Sequence, residues 1–275
     1  MEIKACAKIN LGLNVIERRP DGYHNLQTVF YPVGIYDTIN VEESDTVAIH
    51  VYGAAEDIPY KDNLVFKAYN MLTEDYALPP ISISLKKDIP MQAGMGGGSA
   101  DCAFTIRAIN EMYDLRISTR MMQRYAARLG ADCAFFITAE PSYATGIGDE
   151  LTPITPHESL KDKVIAIVKP DVAVSTAEAY RGITPRMPRY NCREVVEHHH
   201  VAEWRSMLTN DFEETVFKNH IVLGAIKQRL YDLGALYAAM SGSGSAMFGI
   251  FRREDINIAT LEDNFRDCRN YLVDN

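Results

Sequence analysis

The chain has 275 residues, 47% of them hydrophobic and 24% charged, a globular balance that suits one large or two ordinary domains with a real core. Its formal charge of −9 argues against a nucleic-acid partner, which would need clustered Lys and Arg, but leaves room for a local anion site. Five scattered cysteines (Cys6, Cys102, Cys133, Cys192, Cys268) without CxxC spacing, no signal-like start and no apolar run of about 18 residues lead us to expect a soluble, cytoplasmic protein with no membrane partner.

Residues 3–15 alternate. Ile3, Ala5, Ala7, Ile9, Leu11, Leu13 and Val15 share one parity, which predicts a strand with one buried face and sets Lys8 and Asn10 side by side on the other. Arg18–Gly22, "RRPDG", is a turn. A second strand follows through Thr28, Phe30 and Pro32, and Val47, Ile49 and Val51 alternate again. Residues 63–72 read as a helix, and Ile81, Ile83 and Leu85 as a strand running toward "PMQAGMGGGSAD" at Pro90–Asp101. After the glycines, Cys102, Ala103, Ile106, Ile109 and Tyr113 recur at helical spacing. Ser118 is placed to cap a further helix, with Met121, Met122, Tyr125, Ala126 and Leu129 inward and Gly130 as its stop. Asp132 follows, before the apolar "CAFFI". The polar, proline-containing stretch 153–163 marks a domain boundary. Beyond it the pattern predicts a strand over 164–168, helices over 204–217 and 221–233, and a strand, glycine-serine loop and strand over 234–251.

Gly94, Gly96, Gly97 and Gly98 stand between a predicted strand and a helix start. Such a loop lets backbone N–H groups approach an oxyanion, with the helix dipole adding positive potential, so phosphate is the natural guest. No Lys follows as in a P-loop, and the spacing is not that of a dinucleotide fingerprint. Taken alone, the cluster fits a ligand-free tight loop equally well. It is not alone: a second loop at Ser241–Ser245 with Gly242, Ser243 and Gly244, the Lys8–Asn10 pair and Asp132 accompany it in one order along the chain. The "EHHH" of Glu197–His200 reads as a solvated polar segment, because consecutive His side chains diverge on any regular structure.

These segments resemble the GHMP kinases, named for galactokinase, homoserine kinase, mevalonate kinase and phosphomevalonate kinase. "PMQAGMGGGSAD" is similar to their glycine-serine motif and "SGSGSAMFG" to their C-terminal motif. "AKINLGLNV", "RPDGYHNLQTVF", "DNLVFKAY", "LGADCAFFI" and "ATGIGDEL" bring the resemblance closest to the branch acting on 4-diphosphocytidyl-2-C-methyl-D-erythritol, nearly end to end. The resemblance implies an α+β, two-domain fold: a ribosomal-protein-like N-terminal domain over 1–155 with the ATP-binding glycine loop, and an α/β-sandwich C-terminal domain over 156–275. It implies ATP-dependent phosphorylation of the 2-hydroxyl of that small molecule, with Mg²⁺, in the non-mevalonate isoprenoid pathway.

By the same resemblance Asp132 is the base and Lys8 its cationic neighbour. Gly94, Gly96, Gly97, Gly98 and Ser99 wrap the ATP phosphates, Ser99 also serving the Mg²⁺. Lys87 adds charge there, and Asn63 lies near the adenine. Asn10 binds the substrate, Tyr23 and Tyr180 sandwich the cytosine, and His24 reads its edge. Two departures stand out. Thr138-Ala139-Glu140-Pro141 replaces a glycine-rich turn that borders the substrate diphosphate, and Ala100 replaces a second Ser. A nucleotide-binding module without catalysis is one alternative, and the presence of both Lys8 and Asp132 argues against it. A translation-associated protein, from the ribosomal-protein-like N-terminal domain, is another, and the charge of −9 argues against it.

Overall fold

The alternating N-terminal segment forms β1 (Glu2–Arg18) in the computed structural model, which describes residues 1–53 and 59–275. The parity is as expected, but the second face is not open to solvent. Residues 5–15 are all buried, including Lys8 at 3% and Asn10 at 1% exposure. Alternation reports the chemistry of the two faces and not what covers them. A buried polar face is tolerable where each group finds a partner.

In chain order there follow β2 (His24–Glu43), β3 (Ala48–Gly53), α1 (Leu64–Asp75), β4 (Ile81–Lys87), α2 (Gly97–Met112), α3 (Thr119–Leu129), β5 (Ser142–Thr145), β6 (Glu150–Pro153) and β7 (Lys163–Pro170). Then come α4 (Thr176–Arg181), α5 (Cys192–His198), α6 (Phe212–Asn219), α7 (Ile221–Asp232), β8 (Tyr237–Met240), β9 (Met247–Arg252), α8 (Ile258–Asn264) and β10 (Cys268–Asp274). The Ser118 cap, which accepts from Met121, and the end of α3 at Gly130 fall where expected. Asn63, expected as the first residue of a helix over 63–72, is instead the cap of α1, accepting from the Val65 N–H at 3.0 Å.

Two expectations fail for non-local reasons. Met121 is 40% exposed, because the first turn of α3 borders a surface depression with Ile117, Arg116, Arg120 and Arg124. The single helix expected over 204–217 is broken into a 3-10 turn at Val201–Ser206 and α6. Between them β1 takes the backbone: Leu13 N donates to Thr209 O and Asp211 N donates to Leu13 O, each at 2.8 Å.

The chain divides into two compact units. The first comprises Met1–Lys8, Ile35–Met91 and Gly96–Glu140; the second comprises Ile9–Gly34, Gln92–Met95 and Pro141–Asn275. In the first, the C-terminal part of β2 runs antiparallel to β4 with Ile39 opposite Leu85, and β3 runs parallel to β4 with Ile49 beside Ile83. Helices α1, α2 and α3 belong to the same unit, with Leu72, Ile106 and Ile109 in its core. In the second, β5 pairs with Thr28–Phe30 of β2, and β6 pairs with β5. A separate antiparallel sheet has the order β10-β7-β9-β8. Val164, Ala166 and Val168 of β7 pack there with Phe212, Leu223, Leu230 and Phe251.

A buried ionic cluster ties three elements of the first unit together. Lys87, at the end of β4, donates to Asp101, the fifth residue of α2, at 2.5 Å and also to Asp37 of β2. Asp37 further accepts from the backbone N–H groups of Asp88 and Ile89 at 2.6 and 2.8 Å. Burial pushes the Asp101 carboxyl up to about 8 against the pull of Lys87. Asp37 left a trace in the sequence, as a carboxylate on the apolar parity of Val33, Ile35, Ile39 and Val41. Removing the cation leaves two carboxylates buried together. Lys87→Met is expected to lower unfolding free energy by about 3–5 kcal/mol in urea titrations. Asp101→Asn, which keeps an oxygen for the ammonium, should cost less. A Lys87→Met loss below about 1 kcal/mol would show that the cluster does not hold the unit together.

Candidate active site

The division between the units falls inside the glycine stretch, and its glycines serve different steric needs. In the second unit Gly94 has φ +70°, and a Cβ there would lie 1.9 Å from the Ser241 carbonyl oxygen. The Ser241 hydroxyl donates to Gly94 O at 2.9 Å, while Ser245 N and Ala246 N donate to Gln92 O and Ala93 O at 3.1 Å each. The two glycine loops are thus hydrogen-bonded to one another, and Gly94 is where they touch. Gly242 and Gly244 carry φ +53° and +91° in the tight turn around Ser243.

In the first unit Gly96, with φ +72°, is the residue before α2, and a Cβ there would meet the Phe136 ring at 2.7 Å. Its next neighbour is the Lys8 side chain, whose Cγ would be 3.3 Å away. No side chain caps α2, so the N-terminus of a 16-residue helix faces outward from Gly97 and Gly98 uncapped. The ammonium of Lys87 lies beneath that turn, 3.3 Å from where a Gly97 Cβ would be, with Asp37 and Asp101 around it.

Next to Gly96, Lys8 Nζ approaches Asp132 Oδ2 at 3.6 Å. That is a charge contact and longer than a hydrogen bond. Asp132 is held in the 3-10 turn Ala131–Ile137, which buries Phe135 and Phe136. The Lys8 side chain is 4% exposed and the Asp132 side chain 35%, so the ammonium is enclosed while the carboxylate remains reachable. Burial lowers the Lys8 pKa, opposed by the Asp132 charge. A Cβ at Gly130 would meet Cys133 Sγ at 3.0 Å and Ser99 Oγ at 4.0 Å, which sets Ser99, in the first turn of α2, beside the turn that carries Asp132. Cys102 first, and Ser99 with it, hold the Cys133 thiol below its ordinary range although burial opposes them. Lys8, Asp132, Gly96 and Ser99 are therefore neighbours in one unit, and the first unit also holds Asn63 as the buried cap of α1.

The expected substrate residues lie in the second unit. Asn10 donates to the Thr28 hydroxyl at 2.8 Å, and Thr28 donates onward to Gly12 O at 2.6 Å, which fixes the carboxamide. His24 stacks on Tyr180 with centroids 4.8 Å apart and an interplanar angle of 22°. Tyr180 in turn meets Phe212 edge-on at 4.7 Å. Burial first, then the Arg18 charge, lower the His24 pKa and favour the neutral ring. Tyr23 does not join this stack and is 62% exposed. Adjacent residues at the start of a strand point apart, so one of the pair had to face away.

The turn that departs from the family pattern keeps a glycine-like backbone: Ala139 sits at φ +52°. An L-residue there carries about 1–2 kcal/mol of strain. Asn210 was missed by the sequence reading, hidden inside the segment expected to be helical. Its side chain is buried and bonds to the carbonyls of Met240 and Gly242 beside the second glycine loop.

The family model for the GHMP kinases N terminal domain matches residues 63–140, and that for the GHMP kinases C terminal matches residues 192–262. A protein of Parabacteroides distasonis named 4-diphosphocytidyl-2-C-methyl-D-erythritol kinase is 48% identical, over 90% of each chain. One of the same name from Bacteroides thetaiotaomicron is 49% identical, over 90% of this chain and 91% of its own. A crystal structure of 4-(cytidine 5'-diphospho)-2C-methyl-D-erythritol kinase superposes with a TM-score of 0.82 at 29% identity, covering 99% of this chain and 98% of the other. The two-domain GHMP kinase fold with mixed α and β content is thereby shown. The chain belongs to the GHMP kinases and groups there with the 4-diphosphocytidyl-2-C-methyl-D-erythritol kinases.

Proposed function

We propose that this protein is a kinase that transfers the γ-phosphoryl group of ATP to the 2-hydroxyl of 4-diphosphocytidyl-2-C-methyl-D-erythritol, releasing ADP, in the non-mevalonate isoprenoid pathway. The observation that carries the reading is the Lys8–Asp132 pair at 3.6 Å beside Gly96. The relatives' names supply the substrate. The family matches fall on either side of residue 155, which supports reading an N-terminal domain over 1–155 and a C-terminal one over 156–275. Five free thiols, and no membrane-crossing helix among the described residues, suit a cytoplasmic enzyme.

Phosphoryl transfer asks for alignment and charge more than for covalent help. The Asp132 carboxylate accepts the proton of the attacking hydroxyl as its oxygen bonds to the γ-phosphorus and the bond to the leaving oxygen of ADP breaks. Lys8 orients that carboxylate, and its buried ammonium acts on developing charge through little water. The uncapped N–H groups at the start of α2, with Gly96, Gly97, Gly98 and Ser99, hold phosphate oxygens, while Gly94 and the loop of Gly242, Ser243 and Gly244 complete the glycine set. Asn63 and Lys87 complete the ATP-side residues in this reading. Mg²⁺ bound with the nucleotide would neutralise phosphate charge, and the Ser99 hydroxyl would be the hard oxygen donor that helps to hold it. Asn10 hydrogen-bonds the substrate, and His24, Tyr180 and Tyr23 take the cytidine end.

Coupled ADP release with this substrate tests the reading. Asp132→Asn is expected to reduce kcat on the order of 10²–10⁴-fold with ATP binding kept. Full turnover in the variant would place the base elsewhere, and ADP release with homoserine or mevalonate instead would retain a kinase but reject the substrate.

The base-stacking role has its own readout. Tyr180→Ala removes a ring worth about 1–3 kcal/mol per stacked base, so KM for the cytidyl substrate should rise about 10–100-fold while KM for ATP stays put. Equal changes in both constants would assign Tyr180 to packing against Phe212 alone.

A further inference from the structure

We infer that Asn210 is a positioning residue for phosphoryl transfer, one carboxamide that sets the geometry of the Ser241–Ser245 loop. The inference rests on the reading above, in which that loop serves the ATP phosphates.

The Asn210 side chain commits both of its donors to one loop. Both hydrogens of Nδ2 are donated, to Met240 O at 2.7 Å and to Gly242 O at 2.8 Å. Oδ1 accepts at 3.0 Å from the N–H of Phe212, the first residue of α6. Asn210 is 3% exposed, so water does not compete for these bonds. The two carbonyls belong to the residues on either side of Ser241. Holding both on one amide, together with the bonds Ser241 N–Ala246 O and Gly244 N–Ser241 O at 2.9 Å each, sets the orientation of Ser241. The Ser241 carbonyl lies against Gly94 and its hydroxyl donates to Gly94 O at 2.9 Å. Ser245 N and Ala246 N meet Gln92 O and Ala93 O. Asn210 is thus the buried side chain that joins the loop's own bonds in docking the second glycine loop on Gln92–Gly94.

Asn210 is itself held from behind. Thr209 O and Asp211 N are bonded to Leu13 of β1 at 2.8 Å each, and the Asp211 carboxylate accepts from Val15 N at 2.9 Å. The break in the expected helix over 204–217 is what presents Asn210 to the loop.

Asp in place of Asn separates the two roles. Asn210→Asp keeps an oxygen to cap Phe212 but turns a donor into an acceptor facing two carbonyls. Hydrogen exchange of the Ser245 and Ala246 amides should accelerate about tenfold or more in Asn210→Asp, and kcat should fall by a similar factor with KM for the cytidyl substrate little changed. Asn264→Asp, which alters an asparagine that bonds Arg229 and Thr260 elsewhere, should change neither readout. If Asn210→Asp does not fold, Asn210→Ser caps Phe212 and also lacks the two-donor amide, so it reads the same test. Unchanged exchange overturns the inference. Faster exchange with an undiminished kcat overturns it too, because the clamp would then serve folding alone. If the unaltered protein released no ADP with this substrate, the functional reading would fall, and the exchange rates would still decide whether Asn210 holds the loop.

Discussion

A polar group taken out of water has to find its partner inside the protein, and β1 presents a whole row of such groups. Lys8, Asn10 and Asn14 share one parity of the strand and are each at most 4% exposed. Each has a different answer. Lys8 meets Asp132; Asn10 meets the Thr28 hydroxyl; Asn14 meets Thr209 and Asp211 at 3.0 and 3.2 Å. An unmatched amide in such a place costs about 1–3 kcal/mol and an unmatched charge more, so these pairings constrain the residues that answer them. The groups assigned to catalysis and substrate binding are thus fixed by the same demand that stabilises the strand.

The glycines show a second constraint, that of backbone approach. Gly94 admits the Ser241 carbonyl, and Gly96 admits the Phe136 ring beside Lys8. Both have positive φ, so a side chain would be excluded on two counts. Gly98 differs, with only Leu64 within 4 Å of a built Cβ and nothing closer than 3.8 Å. A cluster that looks uniform in the sequence therefore divides into residues that let the protein pack on itself and residues that leave a helix N-terminus open.

Local chemistry was legible in the sequence. Ser118 caps a helix because its side chain reaches the next turn, and period two marked β1 because neighbouring side chains oppose each other. The order of glycine loops, Lys8 and Asp132 was legible as well. What the sequence concealed was long-range. The break at 207–211 depends on Leu13, nearly 200 positions away, claiming the backbone of Thr209 and Asp211. The burial of the polar parity of β1 depends on partners such as Asp132 and Asp211, and periodicity carries no information about them. Tyr23 and His24 were expected to share one base, yet a strand sends consecutive side chains apart, and only His24 reaches Tyr180. Ala139 reverses the usual inference, since the backbone keeps a left-handed residue where the composition had lost its glycine.

The two buried lysines of the first unit illustrate how charge is allotted. Lys87 has two carboxylates within bonding distance, Asp101 at 2.5 Å and Asp37 beside it. Although burial opposes it, those two charges hold Lys87 above its ordinary pKa. An ammonium bonded to two acids anchors α2 to β2 and β4. Lys8 meets the Asp132 carboxylate at 3.6 Å, and burial is the dominant influence on its pKa, in the downward direction. Asp132 is the more exposed of the two, so the pair presents a reachable carboxylate backed by an enclosed ammonium beside Gly96. The two lysines thus answer the same demand of burial in different ways: Lys87 is paired with two enclosed carboxylates that join α2 to β2 and β4, and Lys8 with a carboxylate that stays 35% exposed.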